Sequence, residues 1–396
     1  MRRYYKTNLL ILCTTIFLAG ASWNQIVPYL SLFLKDLGVS DKSLVSWTYF
    51  VFTMQATAGI VCQPFWGKVG DAHGRKPMVL RAGVCLVFIY IFMSICRAPW
   101  QLALLRFLNG ALTGFVPGSI ALIATNTPKR YAPGYVALAQ AAMAAGLILG
   151  PAYGGFLAEM FGYRVSMRIA ACAIFFSVLL VIFFVREPNK TRSEDKTSLW
   201  QDFATAFKSK IMLPIFFTVW VAAMFSGGTI PVITLYLKGI GNNAPGWLIG
   251  IIFALPAIAV FLTARRWTAL GENIGYYKVI FASLLGTGIF TAILATPAAG
   301  NLWSFSLFFF VAGVFCAAAQ PATSALICLR VEDTFQGRAY GIQHASSTFG
   351  TLVMTALSGV IAAGAGLKAV FVFIGAVFTL GFFILGHLTG NGERQY

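Results

Sequence analysis

Gly67-Lys-Val-Gly-Asp-Ala-His-Gly-Arg-Lys76 separates two long apolar runs, and the shortness of this polar cluster decides the architecture. Two hydrophobic segments joined so closely are consecutive crossings of a bilayer, not parts of separate soluble domains. Glycines suit the tight reversal, because a residue without Cβ reaches backbone angles closed to others. The basic residues Lys68, Arg75 and Lys76 favour the cytoplasmic side of the membrane.

Composition extends this reading to the whole chain. Of 396 residues, 58% are hydrophobic and 10% charged, against roughly 25% charged in an ordinary soluble domain. The net charge of +17 does not call for nucleic acid, since the basic residues fall mostly in short connections, where they set orientation and meet anionic headgroups. The seven cysteines lie in or at the ends of apolar spans, with no Cys-x-x-Cys and no nearby histidine, so neither metal nor disulfide is expected. Basic Met1 to Lys6 followed by Ala19-Gly20-Ala21 has the form of a cleavable signal. The apolar run nevertheless continues to Leu34, long enough to span, and is read as an uncleaved helix.

At roughly 20 apolar residues per crossing, twelve spans are expected, near 8–34, 44–66, 77–96, 99–124, 134–158, 165–185, 211–236, 246–265, 276–295, 302–327, 337–363 and 366–388. Lys and Arg are denser in alternate connections, which places those connections and both termini in the cytoplasm. The long polar stretch from Arg186 to Lys210 carries Trp200, Phe203 and Phe207, the pattern of a short interfacial helix. It divides the chain into an N-terminal bundle of six helices (1–188), a cytoplasmic linker (189–210) and a C-terminal bundle of six (211–396).

The halves match at a nearly constant offset. Pro28-Tyr-Leu-Ser-Leu-Phe-Leu-Lys-Asp-Leu-Gly38 reappears 203 residues later as Pro231-Val-Ile-Thr-Leu-Tyr-Leu-Lys-Gly-Ile-Gly241. Gly110 pairs with Gly313, Gly134 with Gly337 and Gln140 with Gln343 at the same spacing. Gly70-Asp71 and Gly74 are answered by Gly271-Glu272 and Gly275. Two such halves with a substrate site near the midplane form the parallel-repeat transporter plan.

With these features assembled, the 67–76 cluster resembles the loop signature of the major facilitator superfamily. Gly67, Asp71, Gly74, Arg75 and Lys76 match, while Ala72 stands where that family usually has a basic residue. Arg106-Phe-Leu-Asn-Gly110 in the fourth span resembles a second motif of the family, an arginine with a glycine four residues on. In the fifth span, Gly146-Leu-Ile-Leu-Gly150-Pro-Ala-Tyr-Gly154-Gly155 resembles the antiporter motif of its drug:proton antiporter branch, with Ala137 in place of the outermost glycine. Pro64-Phe-Trp-Gly67, Gly114-Phe-Val-Pro117 and Ala121-Leu-Ile-Ala-Thr125 are similar to the bacterial multidrug exporters of that branch. The resemblance covers the whole chain. It implies an all-α integral membrane fold of twelve helices in two six-helix bundles, with Gly67, Gly70, Asp71, Gly74, Arg75, Lys76, Gly146, Gly150, Pro151, Gly154 and Gly155 serving gating and conformational change, and transport in the direction of export.

An arginine inside a membrane span costs about 3 kcal/mol on insertion scales, so Arg106 should face water or a partner. Proton coupling and anion contact compete there with a structural bond to carbonyls or to Asp71. None of the twelve acidic residues falls in the middle of an expected span. A cavity offering a cation and neutral polar groups favours neutral, zwitterionic or anionic amphiphiles over dications. If protons drive the cycle, the candidates are Asp71, Arg106 and His344, the last on one face of the eleventh span with Thr348, Thr351, Thr355 and Ser358. In this superfamily the first, fourth, seventh and tenth spans line the path. The resemblance thereby nominates Trp23, Asn24, Gln25, Arg106, Asn109, Trp220, Phe225, Ser226 and Gln320 as substrate contacts.

The leading expectation is a proton-coupled exporter of small amphiphilic compounds working by alternating access, a monomer in a bacterial inner membrane whose partners are its substrate, protons and the lipid bilayer. The alternatives are a dedicated metabolite or siderophore exporter and a facilitator for sugar or organic-anion uptake. An enzyme is not expected: three scattered histidines, no His-Glu-x-x-His and no clustered carboxylates leave no catalytic constellation and no cofactor or metal site.

Overall fold

The computed structural model describes residues 4–128, 131–188, 209, 211–241, 244–331 and 333–390. All regular structure among them is helical. The first half contributes α1 (Tyr4–Ile26), α2 (Leu30–Asp36), α3 (Asp41–His73), α4 (Arg75–Ile95), α5 (Pro99–Leu112), α6 (Phe115–Asn126), α7 (Ala132–Phe161) and α8 (Tyr163–Phe184). The second contributes α9 (Met212–Thr229), α10 (Ile233–Ile240), α11 (Gly246–Ile274), α12 (Tyr276–Ile293), α13 (Leu302–Cys316), α14 (Ala319–Arg330), α15 (Asp333–Ala365) and α16 (Leu367–Gly390). Among the described residues, twelve helical stretches are long and apolar enough to cross a membrane.

Two compact units result, one of Met1–Glu194 with Asn243–Ala254, the other of Asp195–Asn242 with Leu255–Tyr396. In the first, α1 packs along α7, α3 along α5 and α4 along α8. In the second, α9 packs along α15 and α12 along α16. The interfacial helix expected around Trp200 lies outside the described residues.

The 67–76 connection differs from the expected loop. Helix α3 continues through Gly67, Gly70 and Asp71 to His73, and the reversal is made at Gly74 alone, at φ +101°. Only that position needs glycine for its dihedral. Gly70 serves close packing instead, since a Cβ there would come 3.3 Å from Met78. The second half repeats the device at Gly275, φ +97°, between α11 and α12.

Helices have no hydrophobic drive to associate within lipid, so close backbone approach carries the packing. A Cβ on Gly110 would run into the carbonyl of Gln55, and one on its repeat mate Gly313 would lie 2.8 Å from Pro256 Cα. Gln55 and Pro256 are themselves 201 residues apart, so the same α3–α5 crossing recurs between α11 and α13.

Candidate functional site

Four of the twelve spans are interrupted, and they are the first, fourth, seventh and tenth. The first passes from α1 through a three-residue 3₁₀ turn, Val27–Tyr29, into α2, and the seventh breaks between Thr229 and Ile233. Pro28 and Pro231 sit in these two breaks and withhold the N–H that a continuous helix would use. The fourth breaks at Thr113 and Gly114, the latter at φ +135°, and the tenth between Cys316 and Ala319.

Backbone freed inside a membrane must be bonded again. At the fourth-span break the indole of Trp66 donates to the Ala111 carbonyl at 2.8 Å, and Arg81 Nη2 reaches the Leu112 carbonyl at 3.4 Å. The Arg81 guanidinium lies over Trp66, its central carbon 3.3 Å from the ring centroid. At the tenth-span break Trp267 repeats the bond, donating to Val314 at 2.8 Å. Trp66 stood out in the sequence only within Pro64-Phe-Trp-Gly67, and Trp267 and Arg81 did not; the offset of 201 between Trp66 and Trp267 was the signal available.

Just before the fourth-span break, Arg106 and Asn109 point into the first unit. Arg106 is 2% exposed, with its guanidinium carbon 5.3 Å from the Phe52 ring centroid and 6.0 Å from that of Trp23. Tyr90 lies alongside both Arg106 and Asn109. The ion pair found among the described residues joins Lys35 to Asp41 at 2.8 Å, away from this pocket. Among the described residues Arg106 Nε is buried with no hydrogen-bond partner, and the buried amide of Asn109 has the Tyr90 hydroxyl beside it. A cation enclosed by ring faces, beside a buried amide and a phenol hydroxyl, can receive an anionic or strongly polar group.

Of the neighbouring candidates on α1, Trp23 is half-buried and faces this guanidinium. Asn24 donates to the Gly20 carbonyl at 3.2 Å. Gln25 is fully buried and joins α8, its amide donating to the Ser166 carbonyl at 2.7 Å and hydroxyl at 2.9 Å.

The glycine face of α7 lies along α1. A Cβ on Gly146 would meet the Phe17 carbonyl at 2.6 Å, one on Gly150 the Ala21 carbonyl at 2.6 Å, and one on Gly154 the Gln25 carbonyl. On another edge, Gly155 abuts Gly246 and Pro151 abuts Gly250, both in the first turns of α11 that belong to this unit. Glu159 caps that helix, accepting from Gly246 N at 2.7 Å.

At the Gly74 turn, backbone amides of Arg75 and Lys76 donate to the Glu187 carboxylate at 2.7 and 2.9 Å. In return Lys76 Nζ donates to the Val185 carbonyl at 2.7 Å and the Ile182 carbonyl at 3.0 Å. An anion thus sits at the α4 N-terminus and a cation at the α8 C-terminus, each on the favourable end of a helix dipole. Asn8 bonds both the N–H and the C=O of Arg186 at 3.0 and 2.7 Å, holding the same tail to α1. The side chain of Asp71 lies outside the described residues.

In the second unit, Phe225 is in the core, stacked on Phe309 with centroids 5.7 Å apart. Trp220 is half-buried, its indole N–H without an acceptor among the described residues, and Ser226 bonds back to the Ala223 carbonyl. Gln320 and His344 are exposed. Thr351 and Thr355, expected to share a face with His344, bond the Ala223 and Gly227 carbonyls of α9 at 3.4 and 2.9 Å and hold α15 against that helix.

Twelve spans among the described residues, in two repeated halves that each break their first and fourth spans, define a membrane transporter. The chain belongs to the Major Facilitator Superfamily, whose family model matches residues 12–269 and 215–394. It is 31% identical over 377 residues to "Multidrug resistance protein MdtG" of Proteus mirabilis, covering 94% of this chain and 93% of that one. The protein of that name from Salmonella arizonae is 29% identical over 93% of this chain and 91% of its own length. Among solved structures, the nucleoside transporter NupG superposes with a TM-score of 0.80 at 14% identity, over 96% of this chain and 99% of that one. The human organic anion transporter MFSD10 superposes at 0.69 and 16% identity, over 96% and 99%. These two likenesses establish the fold. The chain is accordingly a multi-pass membrane transporter and not an enzyme.

Proposed function

We propose that this transporter is a proton-coupled exporter of small amphiphilic compounds, neutral, zwitterionic or anionic, acting as a monomer in a bacterial inner membrane with both termini in the cytoplasm. The observation that carries the charge preference is Arg106, a buried guanidinium among Trp23, Phe52 and Tyr90 with no carboxylate partner among the described residues. A lipophilic dication would be repelled there, whereas a carboxylate or phosphonate would supply the missing counter-charge. The names of the relatives and the Gly-Pro…Gly-Gly face of α7 support export of several compounds. The same unpaired guanidinium also supports a dedicated exporter of one carboxylate-rich metabolite, such as a siderophore.

The test is proton flux from acid-loaded proteoliposomes of the purified chain on adding anionic, neutral and dicationic compounds in turn. Flux triggered by the anionic and neutral compounds, and lost in Asp71→Asn, is the expected result. Strong flux with the dication alone would sink the charge preference. Substrate movement without proton flux would replace antiport by facilitation, and a response to one compound only would favour the dedicated exporter.

A further inference from the structure

Opposite the Gly74 turn, the first unit gathers three arginines that the transport reading leaves unused. Helix α4 runs from that turn to Ile95, so Arg97 lies at the far end. Helix α8 meets Lys76 through Val185 at its close, so its start, with Arg164 and Arg168, lies at that far end too. Two of the three converge on one residue. Arg164 Nη1 donates to the Ser94 carbonyl at 2.9 Å, and Arg168 Nε to the Ser94 hydroxyl at 3.3 Å. Arg97 follows three residues on, held through its backbone N–H by Gln101 at 2.7 Å.

Closing the C-terminus of α4 explains Arg164, and it explains only that one. One cation bonded to a terminal carbonyl satisfies the end of a helix, and the Ser94 hydroxyl covers the Ile91 carbonyl. Arg97 and Arg168 are exposed, and no carboxylate pairs with any of the three among the described residues. Asp36 lies beside Tyr163 yet forms no ion pair. The N–H groups that these three guanidiniums leave free at a membrane boundary match a phosphate, whose charged oxygens accept several charge-assisted bonds at once.

The surface beside them identifies the source of that phosphate. On α4, Ile95, Phe92 and Phe88 recur at helical spacing as exposed side chains leading inward from Arg97. On the packed neighbour α8, Cys172, Phe175 and Phe176 do the same from Arg168. Trp100 is exposed at the arginine end, in the position aromatic residues take at the headgroup level. A free phosphate has no use for such an apolar track, whereas an acyl chain covers it.

We propose that Arg97, Arg164 and Arg168 hold the phosphate of an anionic phospholipid, with an acyl chain lying along the exposed faces of α4 and α8. The purified full chain in detergent is tested by native mass spectrometry with dioleoyl phosphatidylglycerol, dioleoyl phosphatidylcholine and glycerol phosphate as probes. The expected result is retention of phosphatidylglycerol over phosphatidylcholine, falling by about fivefold for each arginine removed in Arg97→Gln and Arg168→Gln. These variants keep the Arg164 cap on α4. Equal retention of the two lipids by the unaltered chain, or undiminished phosphatidylglycerol in the double variant, would overturn the proposal. Glycerol phosphate displacing the lipid at equal concentration would also overturn it, by showing a soluble-anion site. Should the double variant fail to fold, the ratio of the two lipids on the unaltered chain decides by itself.

Discussion

Arg106 and Asn109 are three residues apart on α5, and both are buried, Arg106 Nε with no hydrogen-bond partner among the described residues and the Asn109 amide with the Tyr90 hydroxyl beside it. Leaving a buried donor or acceptor unbonded costs about 1–3 kcal/mol, a burden a purely structural position would shed. Asn109→Leu, which keeps the branched shape without the polar atoms, is therefore expected to hold or raise stability while impairing transport. Thermal unfolding in detergent beside a vesicle transport assay checks both halves; a lower melting temperature would mean that the amide is bonded after all. Part of this site was legible in the sequence. An arginine in an apolar run signals an inward-facing cation, but its ring neighbours come from α1, α3 and α4 and follow no local pattern. Glu187 and Asn8 were missed for the same reason, because their partners lie more than a hundred residues away.

At the scale of elements, glycine has two separate uses here. Gly74 and Gly275 supply positive φ at reversals, whereas Gly110, Gly146, Gly150 and Gly154 lie inside helices and remove side chains where backbones meet. A Cβ on Gly110 would strike the Gln55 carbonyl, while one on Gly134 meets nothing within 4 Å. Gly110→Ala is thus expected to separate α3 from α5 and lose several kcal/mol, on the order of an overpacked core. Gly134→Ala should be neutral or gain about 0.5–1 kcal/mol through helix propensity. Melting temperatures of the two variants side by side test the contrast, and equal losses would refute the packing assignment. Hydropathy located the spans well because lipid demands long apolar runs. It could not show that α3 reaches His73, since polar helix and polar loop read alike, nor that four spans are broken, since a break changes backbone bonding and not composition.

Across the whole molecule the two repeats keep a scaffold and differ in chemistry. Trp66 and Trp267 make the same carbonyl bond, Gly110 and Gly313 the same crossing, Gly74 and Gly275 the same reversal. At the offset that relates Gly110 to Gly313, Arg106 corresponds to Phe309 and Asn109 to Ala312. Phe309 is 2% exposed and stacks on Phe225 and Phe305 at 5.7 Å each, so the matching scaffold accepts a ring at that position. Arg106→Phe should then fold, and be at least as stable as the original, because it replaces a buried cation with no carboxylate partner among the described residues by a residue its repeat already accommodates. Transport should separate by charge class. Compounds bearing a carboxylate or phosphonate would lose their counter-charge and their export, whereas neutral amphiphiles would still be moved if protons are carried elsewhere. Vesicle assays with an anionic and a neutral compound read this directly. Loss of both in a well-folded variant would assign Arg106 to the proton cycle, and retention of both would remove it from the site altogether.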